Sequence, residues 1–227
     1  MISNQLAVVL GTLGLLGTVL LLALCVMATA WGAIRGNSVL VRRAAGGAAG
    51  IVGIYGLLWV GAGLLSRDTV KAAGQEKYFC EIDCHLAYRV VGVRQVEQVP
   101  GTAGRAWAVE LRTRFDESTI SPRRGREAPL WPSPRRVELR DSRGTSHGPM
   151  SGTGSWLQER GLRSTPLSRE LRPGESYTTL LLFDLPDTAT PAQLLVEDAD
   201  WMSALVIGSE ESPWHGKVLL PIPAGPS

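Results

Sequence analysis

The chain has 227 residues, 44% of them apolar and 19% charged, with a formal net charge of +2. Three of its 23 basic residues fall between two apolar runs and all 21 acidic residues lie after them, so the remainder holds 20 bases against 21 acids. The basic excess is therefore partly a matter of topology, and the near-neutral remainder excludes the electrostatic footprint of nucleic-acid binding.

None of the first 34 residues is charged. Leu6 to Trp31 is long enough to cross a hydrocarbon core of roughly 30 Å as a helix, and so is the glycine-richer run Ala44 to Leu65. Both are apolar on all sides, unlike an amphipathic core helix. The pattern predicts a two-helix transmembrane hairpin over 1–65, with helices at about 6–31 and 44–65. The loop between them carries Arg35, Arg42 and Arg43 and no acid, which places it in the cytoplasm. Both termini and the C-terminal domain are then expected on the periplasmic side of a bacterial inner membrane. Ala28-Thr29-Ala30 resembles a signal-peptidase site and Leu22-Ala23-Leu24-Cys25 a lipobox; the missing basic n-region, the overlong apolar run and the bulky Leu24 count against cleavage.

Residues 66–85 are expected to be a linker and 86–227 an all-β domain. Leu86 to Val99 and Ala106 to Phe115 alternate apolar and polar residues with the period of a half-buried strand. Further strands are predicted at Arg136–Arg140, Tyr177–Leu185, Gln193–Glu197, Ala204–Ile207 and Lys217–Ile222. Turn signals separate them at Pro100-Gly101, Asp141-Ser-Arg-Gly144, Arg172-Pro-Gly174 and Pro186-Asp187. About seven short strands with such turns indicate a β-sandwich rather than a βαβ fold. Gly154 to Gly161 is expected to make one or two helical turns.

Trp107-Ala-Val-Glu-Leu-Arg, Val137-Glu-Leu-Arg-Asp-Ser-Arg-Gly144, Leu171-Arg-Pro-Gly-Glu-Ser176 and Leu180-Leu-Leu-Phe-Asp-Leu-Pro186 follow one another in a familiar order. Over roughly Tyr88 to Ile222 the chain resembles the telokin-like, immunoglobulin-fold domains of bacterial surface proteins and lipoproteins. The resemblance implies an immunoglobulin-like β-sandwich and supplies no catalytic residues. A two-helix hairpin followed by a β-sandwich and a Cys-x3-Cys pair also resembles subunit II of cytochrome oxidases. In that family the cysteines lie near the domain's C-terminus; here they precede the domain, and Met150 and Met202 are out of register. That likeness implies shared architecture, not shared chemistry.

Phe79-Cys-Glu-Ile-Asp-Cys-His85 is the sharpest local motif. In an extended strand Cys80 and Cys84 would stand about 13 Å apart, too far for a disulfide; in a tight loop about 6 Å, within range. Three readings follow: a disulfide staple, a copper or zinc site using Cys80, Cys84, His85 and His215, or free thiols. No other cofactor is implied. The three histidines show no His-x3-His or HExxH spacing, and Gly148-Pro-Met-Ser-Gly152 is not a nucleophile elbow. No enzyme is expected.

Ser121 to Arg136 gathers Arg123, Arg124, Arg126, Arg135 and Arg136 around Trp131 and four prolines, a candidate partner-binding surface. Trp156, Trp201 and Trp214 sit in loop-like contexts, and at least one is expected as an exposed contact residue. Gly11, Gly14 and Gly17 form one row of small residues along the helices, and Gly46, Gly50 and Gly53 another, suited to close helix packing. The expected function is a non-catalytic scaffold subunit of a membrane complex, with a photosynthetic or respiratory electron-transfer complex as the host to check first. Its partners would be other membrane-protein subunits and the lipid bilayer. The alternatives are a periplasmic metal-handling or redox protein and an independent surface ligand-binding module.

Overall fold

The computed structural model describes residues 2–81 and 84–223. They fall into two units: one holds both long helices together with Asp200–Lys217, the other Thr69–Ala199 and the last strand.

In the first unit α1 (Ile2–Ile34) and α2 (Ser38–Leu65) form an antiparallel hairpin. Both are long and apolar enough to cross a membrane, and only 6% of each apolar window is buried. Leu10, Leu20, Val26, Ile54 and Leu57 are more than half exposed along the helices. A soluble core helix would bury such residues; these need an apolar solvent or a partner. The helices run further inward than expected, because arginine is a good helix former and Arg42 and Arg43 lie in the opening turns of α2. The connection shrinks to Arg35-Gly36-Asn37. Gly36 takes φ +64° to reverse the chain, and Asn37 caps α2 by accepting from the Leu40 amide at 3.1 Å. Thr18 and Thr29 return their hydroxyls to the carbonyls four residues back, both at 2.8 Å, which satisfies these two donors within the helix.

The second unit is sheet-rich. Its elements are β1 (Thr69–Val70), β2 (Lys77–Glu81), β3 (Cys84–Val96), β4 (Arg105–Asp116), β5 (Arg135–Asp141), β6 (Ser146–His147), α3 (Gly154–Glu159), β7 (Ser176–Leu185), β8 (Pro191–Asp198) and β9 (Val218–Pro221). One sheet runs β1-β9-β8-β5-β6 and the other β2-β3-β4-β7, all antiparallel except the β1–β9 pair. Strand alternation sends Leu86, Tyr88, Leu111, Phe115 and Phe183 inward from one sheet to meet Leu139, Leu194 and Leu220 from the other in a single core. A smaller cluster covers the back of β4 and β7, where Trp156 and Leu157 of α3 pack on Ala106, Ala108, Leu180 and Leu182. Trp156 Nε1 donates to the Gln98 carbonyl at 2.8 Å, fixing α3 to the chain leaving β3.

Two expectations are corrected. The stretch 66–85 is not a plain linker, since β2 pairs with β3 from Lys77↔Tyr88 to Glu81↔Cys84. Ala204–Ile207 is not a strand: Ser203–Leu205 forms a 3-10 turn belonging with the helices. The reason is chemical in each case. β2 points Lys77 and Glu81 inward and Tyr78 and Cys80 outward, which inverts the expected polarity. Ala204, Leu205 and Val206 spend their carbonyls on side-chain donors and a turn amide rather than on a ladder.

The inward charges of β2 tie the sheets together. Lys77 Nζ donates to the Val196 carbonyl at 2.6 Å and the Val218 carbonyl at 3.1 Å, on β8 and just at β9. Glu81 pairs with Arg135 of β5, whose Nη1 lies 2.9 Å from Asp198 of β8. The Arg135 side chain is 1% exposed and its guanidinium stacks 4.2 Å from the Phe79 ring centre. Burial in the same region pushes the Tyr88 hydroxyl up to about 12.

Candidate functional site

Three surfaces flagged by the sequence can be placed. The first is the cysteine hairpin. The structure forms no Cys80–Cys84 disulfide: Cys80 pairs with His85 across the β2–β3 ladder and Cys84 with Glu81, so the two thiols project from opposite faces. Cys80 is exposed, while Cys84 is buried in the core. Ile82 and Asp83, between them, lie outside the described residues. Cys80, His85 and Asp116 follow one another in a cross-strand row on the outer face. His215 belongs to the helical unit, where its Nδ1 lies 3.2 Å from Ser66 Oγ and 2.9 Å from the Gly216 carbonyl. Among the described residues, no three histidine, cysteine or acidic side chains cluster as metal ligands.

Next to that row, Glu76 receives Arg114 through Nη2 at 2.7 Å and Nε at 3.3 Å, and the Tyr78 hydroxyl at 3.0 Å. The Arg114 hydrogen bonds hold the Glu76 carboxyl below its ordinary 4.5. At the β5–β6 turn Asp141 accepts from His147 at 3.0 Å and from the Arg143 and Thr145 amides, which holds it below its ordinary 3.8, His147 first. Carboxyls depressed by folding contribute stability that is present above their unfolded values and lost as pH falls through the folded ones. The thermal midpoint of the sheet unit is therefore expected to be level above about pH 4.5 and to fall below it. Glu76→Gln should flatten the upper part of that fall in a melting series by circular dichroism; an unchanged profile would count against the Arg114 pairing.

The arginine-rich loop divides. Arg135 is a core residue rather than a partner contact, drawn inward by Glu81 and Asp198. Arg124 folds back to donate to the Ala128 and Pro129 carbonyls at 3.3 and 2.7 Å. Arg136 is 60% exposed yet pairs with Glu197 and lies 3.8 Å from Glu138. That leaves Arg123, Arg126 and Trp131 presented outward, with Trp131 68% exposed. The loop beneath Trp131 is pinned by a two-way bridge between Leu130 and Leu171, 2.8 and 2.9 Å. Trp131 is thus an exposed side chain on a fixed base, which costs a partner little ordering entropy.

The glycine rows also divide. The two helices meet at Gly32, where an added Cβ would stand 3.0 Å from Val41, and at Gly47, 3.8 Å from Cys25 Sγ. Gly14, Gly17, Gly46, Gly50 and Gly53 face open space instead, with nothing within 4 Å of a Cβ. Gly11 is different: its Cβ position lies 2.1 Å from the Ile207 carbonyl oxygen.

The sequence pointed to Gly11, Trp201 and Trp214 separately but did not join them into this one site. Asp200–Lys217 lies along the ends of both helices that are remote from the Arg35–Asn37 turn. The Tyr55 hydroxyl donates to the Leu205 carbonyl at 2.7 Å and Trp59 Nε1 to the Ala204 carbonyl at 3.0 Å. Trp214 packs edge-on to Trp59, 5.3 Å between ring centres, and covers Gly63. Asp68 accepts from the Lys217 amide at 2.8 Å. The available signal was Trp201-Met-Ser-Ala-Leu-Val-Ile207, a turn region too apolar for a solvated loop.

No family model matches the chain, and no curated protein does either. Among solved structures, the secreted protein MPT63 of Mycobacterium tuberculosis is similar at 12% identity over 68% of this chain and 97% of its own, with a TM-score of 0.44. A conserved hypothetical protein of Bacillus anthracis is similar at 18% identity over 53% of this chain and 85% of its own, with a TM-score of 0.32. Neither likeness bears on function.

Proposed function

We propose that the protein is a non-catalytic scaffold subunit of a bacterial inner-membrane assembly. Its hairpin spans the bilayer, and its two-sheet domain, of immunoglobulin-like type, clamps partners on the periplasmic side. The observation that carries this reading is the outward direction of Gly14, Gly17, Gly46, Gly50 and Gly53. Lipid gains nothing from a flat glycine surface, whereas a neighbouring helix gains close backbone approach. The hairpin does not use these glycines for its own packing, so they are available to other subunits. Arg35, Arg42 and Arg43 at the turn support a cytoplasmic turn and periplasmic termini. Trp131 with Arg123 and Arg126 offers a second contact of the kind that dominates interfaces.

The test is native-size analysis with mass spectrometry after mild detergent extraction from the protein's own membranes. Co-migration with a defined set of larger subunits is expected. Gly46→Leu with Gly50→Leu should reduce the co-migrating fraction roughly tenfold, equivalent to about 1.4 kcal/mol of association, with insertion unchanged. Migration of the wild-type chain alone, as a monomer in its micelle, overturns the proposal.

A further inference from the structure

We infer that Asp200–Lys217 is a membrane-seated loop that places Trp201, Met202, Leu205 and Trp214 among the lipids of the outer leaflet. The inference rests on the reading that the hairpin spans the bilayer, and it adds a third protein element to the membrane beside the two helices.

Three observations carry it. The first is depth. Gly32 lies against Val41 and Gly47 against Cys25, so Trp31 on α1 stands level with the opening turns of α2. Arg35 lies over the Trp31 ring at 4.7 Å, an aromatic and cationic pair suited to the inner headgroup boundary. The second apolar span begins at Ala44, past Arg42 and Arg43, and from there to Trp59 is fifteen residues of α2, about 22 Å at the helical rise. A hydrocarbon core of roughly 30 Å then runs about 8 Å past Trp59, so Trp59 lies in the outer part of the core and Tyr55 about 6 Å deeper. Their hydrogen-bond partners, Ala204 and Leu205, must lie at that same level.

The second observation is composition. The sheet unit's Asp141–Gly144 turn is polar, whereas this segment exposes Trp201 by 71%, Met202 by 54%, Leu205 by 41% and Trp214 by 55%. With Tyr55 and Trp59 they complete an aromatic belt at one end of the hairpin, where amphipathic rings are at home. The segment's charged groups are Asp200 at its start, which accepts from the Met202 amide at 3.1 Å, and Glu210, Glu211 and Lys217 in its second half; none lies within the Trp201–Ile207 run.

The third is backbone satisfaction. Irregular chain at membrane depth is tolerated only where its polar groups are paired within the protein. The Ala204 carbonyl accepts from Trp59 Nε1 and from Ser212 Oγ, both at 3.0 Å, and the Leu205 carbonyl from Tyr55. The Val206 carbonyl accepts from Ser212 Oγ at 3.1 Å and from the Ser209 amide. The amides of Ala204, Leu205 and Val206 close the 3-10 turn. A loop bathed in water would not need the buried Ser212 hydroxyl and two helix side chains for its carbonyls.

The test reconstitutes the full chain in phosphatidylethanolamine–phosphatidylglycerol vesicles whose acyl chains are brominated near the carbonyl end, and compares it with a Trp201→Phe, Trp214→Phe variant. The wild type should lose more tryptophan fluorescence to the brominated lipid than the variant, and soluble iodide should quench both alike. Equal lipid quenching, with iodide quenching reduced in the variant, places the two rings in water and overturns the loop assignment while the anchor stands. Release of both proteins by alkaline carbonate overturns the anchor itself.

Discussion

Arg135→Ala is expected to cost the sheet unit on the order of 3–5 kcal/mol, the largest effect of any single substitution at a charged site here. The side chain is 1% exposed and faces Glu81 on one sheet and Asp198 on its own. Removing the cation leaves two carboxylates turned toward the core without their counter-charge, and also takes the stacking partner from Phe79. Ser133 still donates to Glu81 through its hydroxyl at 2.6 Å, which offsets only part of the loss. A triple change, Arg135→Met with Glu81→Leu and Asp198→Leu, should recover most of the stability, because a packed apolar replacement avoids desolvating any ion. Urea unfolding of the full chain in detergent, followed by circular dichroism, measures both. A single-variant loss below about 1 kcal/mol, the worth of a solvated surface pair, would rule out the buried tie.

The same tie explains what the sequence could not disclose. Long uncharged runs have one structural outcome, so α1 and α2 were legible; α1 was cut short by three or four residues at each end, and the start of α2 by counting Arg42 and Arg43 against a helix. Strands β3, β4, β5, β7 and β8 show apolar alternation and were legible within one or two residues at most ends. β2 failed because alternation assumes that apolar residues point inward, and Lys-Tyr-Phe-Cys-Glu buries both of its charges. Their partners, Arg135 and the carbonyls of Val196 and Val218, lie more than 50 residues away and leave no mark on a local pattern. Arg135 was misplaced among surface arginines for the same reason. The apolar run Trp201–Ile207 was visible, but local pattern cannot distinguish a short strand from a loop held by distant helices. Only Tyr55 and Trp59 make that distinction, and nothing in the residues around them announces it.

Gly11→Leu is expected to detach Asp200–Lys217 from the helices. The Ile207 carbonyl oxygen occupies the space a Cβ at residue 11 would need, 2.1 Å away, and Val206 Cγ1 stands at 2.9 Å. Backbone cannot yield as a side-chain tip does, so the chain at 206–207 must move off the helix. The move breaks the Tyr55 and Trp59 hydrogen bonds, each worth about 0.5–1.5 kcal/mol even in water. Losing about 1.4 kcal/mol of docking raises the open fraction tenfold. Cleavage by a glutamate-specific protease at Glu210 and Glu211 tracks that fraction when closing outpaces cutting, and it should accelerate at least about tenfold. Gly14→Leu supplies the control, since it adds the same bulk three residues along where nothing lies within 4 Å. Equal cleavage rates in the two variants would mean that α1 does not hold the loop. Acceleration confined to Gly11→Leu would show that one glycine, on the first helix, decides whether a segment nearly 200 residues later is seated.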